Sequence, residues 1–156
     1  MGKRTYNRST IDVIADIQLG IRVERAAANL AGAATTIFTV SGGAVLMTGF
    51  YGKITTASGA NATHLEHAPT TGTLIPICAD LDINPALLGD YLTITGAGDV
   101  AMTYNASASG LPMFGSAKGV ILPIGNFKYH AAAADGAASW TMFYIPLEDG
   151  ASVAAA

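Results

Sequence analysis

Charge is scarce in this chain. Of its 156 residues, 12% are Asp, Glu, Lys or Arg, against about 25% in an ordinary soluble domain. With a net charge of -3 there is no surplus of cations for a phosphate-binding face, so nucleic acid is not expected as a partner. Disorder is excluded from the other side, because 51% of the residues are hydrophobic and a disordered chain is poor in them. Cysteine is nearly missing. Cys78 stands alone, which rules out an intramolecular disulfide and a structural zinc cluster. Its neighbours Ile75, Pro76, Ile77 and Ala79 suit a buried, inert thiol. Long apolar runs are missing too: no stretch approaches the roughly 20 residues of a spanning helix, so no membrane is expected. The start, Met1 to Tyr6, is basic, but Asp12, Asp16 and Gln18 interrupt the apolar residues after it, unlike a signal peptide. Tyr6 stands where a myristoylation signal has Ser or Thr. Synthesis and folding in a cytoplasm are the expectation.

The chain instead has 29 alanines, 18 glycines and an uneven spread of charge. Its length suits one domain with its own core. Lys3, Arg4, Arg8, Arg22 and Arg25 face only Asp12, Asp16 and Glu24 within the first 25 residues, a local charge of +2. The other 131 residues hold three basic and eight acidic groups, or -5. From Ile11 to Val23 every odd position is apolar: Ile11, Val13, Ala15, Ile17, Leu19, Ile21 and Val23. The even positions are polar or Gly apart from Ile14. A period of two predicts a long strand with one buried face. The rival is an amphipathic helix through Ile14, Ile17 and Ile21, which places Ile11, Leu19 and Val23 poorly; the β-branched residues favour the strand. The Ala26–Leu30 stretch suits one or two helical turns.

From Thr35 onward the pattern is one of short strands punctuated by turns. Strands are expected at 35–40, 44–56, 62–68, 73–79, 91–95, 100–104, 120–129 and 139–145, with a brief helical turn from Asp82 to Leu88. The fold class is therefore all-β: an antiparallel sandwich or barrel, jelly-roll-like, with an extended N-terminal arm. The division expected is an arm, 1–34, and a β domain with a short C-terminal tail, 35–156. No 20–50-residue repeat is visible, which excludes a solenoid or propeller.

Each candidate catalytic pattern has a plainer reading. In Thr63-His64-Leu65-Glu66-His67, alternation puts His64 and Glu66 on one face and His67 on the other. A metal would need His130 as well, and surface histidines beside a solvated carboxylate are expected instead. The acid pairs Asp80/Asp82 and Glu148/Asp149 lack the aromatic-lined cleft of a glycosidase. Gly-x-Ser-x-Gly and Gly-Lys-Ser/Thr are absent, and Gly96-Ala97-Gly98 lacks a third glycine. Asn61-Ala62-Thr63 and Asn105-Ala106-Ser107 match glycosylation acceptors, but no secretory signal accompanies them. No enzyme, cofactor or metal is expected. Sparse charge and small residues suit a surface covered by neighbours.

Certain strand texts carry a resemblance. Phe38-Thr39-Val40-Ser41-Gly42-Gly43, Gly52-Lys53-Ile54-Thr55-Thr56, Ala68-Pro69-Thr70-Thr71-Gly72-Thr73 and Leu92-Thr93-Ile94-Thr95-Gly96 resemble those of small structural proteins of tailed bacteriophages. The ending, Trp140 to Leu147 followed by Gly150-Ala151-Ser152-Val153, is most similar to them. The resemblance covers about residues 24–154 and rests on strand texts rather than catalytic motifs. It implies a capsid decoration, or cement, protein of the virion: a homotrimer on the outer capsid surface, bound to the major capsid protein and made in the host bacterial cytoplasm.

Under that implication the arm is the partner-binding element, through Arg4, Arg8, Ile11, Val13, Ile17, Leu19, Ile21, Arg22, Val23 and Arg25. Its alternating stretch would add an edge strand to the shell or a neighbouring subunit, and its cations would meet an acidic surface. A solvated tail accounts for the basic start equally well. The alternative function is a receptor- or glycan-binding tail or fibre module, for which Tyr104 and the loop 105–118 are the candidates.

Overall fold

The computed structural model describes residues 19–105 and 119–156. Within them the chain is an all-β sandwich of two antiparallel sheets with no helix. The first sheet runs β1 (Ile21–Asn29), β11 (Ala137–Pro146), β3 (Val45–Thr56), β7 (Tyr91–Thr93), β8 (Thr103–Asn105). In it β9 (Val120–Leu122) pairs with the start of β3, beyond the stretch that β7 occupies. The second sheet runs β12 (Ser152–Ala155), β2 (Thr35–Ser41), β10 (Gly125–Ala131), β4 (Ala62–Pro69). Two short strands, β5 (Ile75–Pro76) and β6 (Leu81–Asp82), line the outer side of β4.

Alternation builds the sandwich. In β10 the residues Gly125, Phe127, Tyr129 and Ala131 are buried, while Asn126, Lys128 and His130 point away, the period of two that a pleated strand imposes. The two inner faces meet on aromatic rings. Phe50 and Trp140 of the first sheet stack at 5.6 Å, and Phe127 and Tyr129 of the second reach them at 5.3 Å and 4.8 Å. Burying each such ring contributes about 1.5–3 kcal/mol, which makes this cluster the main apolar tie between the sheets.

Bulges adjust the pattern where two successive residues must face inward. Phe127 pairs with Phe38 but Lys128 with Thr36, so Ile37 is the extra residue, and both Ile37 and Phe38 are buried.

Several expected elements take another form. The Ala26–Leu30 stretch is not helical; Ala26 to Asn29 continue β1, with a bulge between Arg25 and Ala28, because pairing with β11 outweighs the helix propensity of alanine. The stretch 73–79 holds only the two-residue β5. Pro76 has no N–H for a longer ladder, and Ile77 and Cys78 instead donate to the Leu65 carbonyl. The stretch 120–129 is two strands in different sheets. Pro123 sits at the crossing, where a missing N–H costs no ladder bond. No helical turn forms at 82–88; the Asp90 carboxylate accepts from the Leu87 N–H at 2.8 Å and closes a turn there. The C-terminal stretch is a strand, β12, on β2.

Candidate interaction surface

Of the proposed arm residues, Arg4, Arg8, Ile11, Val13 and Ile17 lie outside the described residues. Leu19, Ile21, Arg22, Val23 and Arg25 are described, and the last four belong to β1, which pairs with β11 from Ile21 opposite Tyr144 to Asn29 opposite Ala137. The segment set apart as an arm therefore ends in a strand of the sandwich. Val23 packs against the core, Ile21 is exposed, and Arg22 pairs with Glu24 in solvent. Arg25 reaches the other sheet, its Nε donating to the Ala156 carbonyl at 2.9 Å.

Gly20 sets the direction from which the chain enters β1. Its φ of +84° is in the left-handed region. A Cβ there would lie 2.8 Å from the Tyr144 carbonyl carbon and 2.9 Å from Cγ1 of Ile145. The backbone before β1 thus lies against β11, and the Leu19 carbonyl accepts from the Thr48 hydroxyl of β3, one strand further in.

Beside this entry point lies an apolar row. Ile145 of β11 is opposite Leu46 of β3, which is opposite Ile121 of β9. Their neighbours Tyr144, Val45, Met47 and Leu122 are buried, so the row is on the outward face. Ile145 is 42% and Ile121 63% exposed, and Leu46 is half-buried. Sequence reasoning missed this row because Val45-Leu46-Met47 reads as unbroken core. No signal in the sequence marked it, since Ile121 and Ile145 also stand beside apolar neighbours.

The histidines divide otherwise than a surface reading supposed. His64 and Glu66 share the face opposite His67, but Glu66 is buried and not a solvated carboxylate; His64 Nδ1 lies 2.7 Å from Asp80 while its ring stacks on His130 at 4.6 Å. His67 is not at the surface. It is buried in the core with Nε2 2.8 Å from the Pro123 carbonyl, so that nitrogen carries the proton, and Nδ1 has no partner among the described residues. Desolvation holds its pKa below the usual 6.5, against the opposing pull of the Pro123 carbonyl. Among the described residues no group of three or more His, Cys, Asp or Glu is placed to hold a metal ion.

Cys78 is buried, and the Leu65 N–H points at its sulfur from 3.1 Å. Burial pushes its thiol up to about 11, far from the range of a nucleophile at neutral pH. The Tyr104 hydroxyl donates to the Pro85 carbonyl at 2.5 Å and lies 2.9 Å from the Asp90 carboxylate. It fixes the β8 end of the sheet instead of offering a free hydroxyl. The loop 106–118 is outside the described residues.

Comparison with family models, curated proteins and solved structures found no match.

Proposed function

We propose that the chain is a non-enzymatic structural protein of a phage virion that binds the outside of the capsid and stabilises it. The observation that carries this reading is the outward row of Ile145, Leu46 and Ile121 beside the entry to β1. An exposed apolar strip on a charge-poor surface suits burial against another protein. A cement protein does no chemistry; it adds buried area across joints in the shell, and many copies in fixed symmetry make modest contacts strong. The segment preceding β1 supplies the reach to the major capsid protein, and the sandwich carries contacts between copies.

The test is binding to purified heads that lack the chain, scored by co-sedimentation. Removing residues 1–18 leaves β1 in place, whereas a cut at 25 would strip the β11 partners Ile21 to Arg25 from the sheet. Truncation at 18 is expected to abolish head binding while the thermal transition persists. Ile121→Asp is expected to weaken binding at least tenfold. Undiminished binding by both proteins would overturn the reading.

A further inference from the structure

The free side of β1 is self-complementary. Among the described residues β1 is the last strand of its sheet, paired with β11 alone. No described strand pairs with its other side, and natural proteins normally protect such an edge. The bulge after Arg25 confines any regular addition to Ile21–Arg25. We propose that a second copy of the chain occupies this edge, with the two β1 strands antiparallel about a two-fold axis through Val23.

The register follows from charge. A two-fold axis perpendicular to the sheet pairs residues of equal parity, since opposed side chains must share a face. An axis at Arg22 would set Arg22 against itself, one at Glu24 would set Glu24 against itself, and one at Arg25 would set Arg25 against itself. Like charges directly opposed are destabilising. An axis at Val23 sets Arg22 opposite Glu24 of the partner copy, and Glu24 opposite its Arg22. Both side chains are about half exposed, 49% and 57%, and already lie on one face as a neighbouring ion pair. The pairing therefore turns two isolated pairs into a four-charge group. Val23, already packed on the core, meets its own counterpart on the inner face. Edge charges usually keep strands apart; here their order, plus at 22 and minus at 24, opposes registers centred on Arg22, Glu24 or Arg25. An axis at Ile21 opposes no like charges, but within β1 it pairs only Ile21 with its counterpart and leaves the ion pairs uncoupled.

This inference rests on the β1 edge and not on the capsid reading; the mass of the free protein tests it, while head binding tests the other. The full chain is expected to form a dimer by sedimentation equilibrium, at concentrations up to about 1 mM if the contact is weak. Glu24→Arg is expected to raise the dissociation constant about tenfold or more, with an unchanged thermal transition because the residue is exposed. Arg22→Glu with Glu24→Arg restores the opposed charges and is expected to restore the dimer. Val23→Cys is expected to give a disulfide-linked dimer on mild oxidation, since directly opposed Cβ atoms lie about 5 Å apart. A chain that stays monomeric throughout would overturn the proposal, as would a dimer or trimer unaffected by Glu24→Arg.

Discussion

Gly52 of β3 lies directly opposite Trp140 of β11, and the indole occupies the space that a side chain at Gly52 would take. A Cβ built on Gly52 would sit 2.6 Å from Cε3 of Trp140. The glycine is needed here for room, because it lets the largest side chain of the core lie flat across β3 and stack on Phe50.

Gly52→Ala should therefore displace the indole. Overpacking of this kind costs about 1–3 kcal/mol, expected as a fall of several degrees in melting temperature. Trp140 is the only tryptophan, so its emission reports the site directly and should shift to the red. An unchanged spectrum and melting temperature would show that the ring is not held against β3.

His67 makes the fold sensitive to acid. Its folded-state pKa is below the usual 6.5, so below pH 6.5 the unfolded chain binds a proton that the folded chain resists. Stability from this group is complete above pH 6.5 and is lost as pH falls, by at most about 1.4 kcal/mol per pH unit. Urea unfolding at pH 7.5 and pH 5.5 should show the loss, and His67→Leu should reduce the difference. An equal fall in both proteins would assign it to other groups.

Cys78 should be silent in the folded state. With its thiol raised to about 11 and its sulfur buried, reaction with a disulfide reagent at pH 8 should be slow in buffer and complete within minutes in denaturant. Rapid modification of the native chain would contradict the packing of Cys78 beneath β4.

Gly20 should govern how the chain enters the sheet. Any other residue there meets both the left-handed backbone and the Tyr144 carbonyl. Gly20→Val should speed amide exchange at Ile21 to Val23 while leaving β10 and β4 protected, since local opening at a sheet edge need not unfold the core. Uniform acceleration across both sheets would mean that β1 is integral to global stability.

The longer strands bounded by turn residues were legible in the sequence. β2, β3, β4 and β11 fall within a residue or two of where strand-forming runs between turn residues put them; β3 also carries a period of two, whereas β11 is buried on both faces from Ala137 to Tyr144 apart from Ser139. Where those signals fail, so did the reading. Ala26 to Ala28 carry no contrast between faces, and only pairing with β11 reveals a strand. Ile121 to Phe127 spans two sheets, and the residues on either side of Pro123 are equally apolar. His67 follows the alternation that was read for it. That its face is the inner one depended on the neighbouring Leu65, Phe127 and Tyr129, which come from two strands. The apolar row of Ile145, Leu46 and Ile121 joins three distant stretches and is visible only once their register is known.

The two strands nearest the start of the sandwich have partners near its end. β1 pairs with residues 137–144 and β2 with residues 152–155. During synthesis neither sheet can complete its ladder until the last strands have left the ribosome. Joining ends so far apart in sequence is slow, and edges remain open to wrong partners while it happens. A chain with so few charges to keep copies apart in that interval should therefore depend on the speed of its own translation, and refold from denaturant most cleanly when dilute.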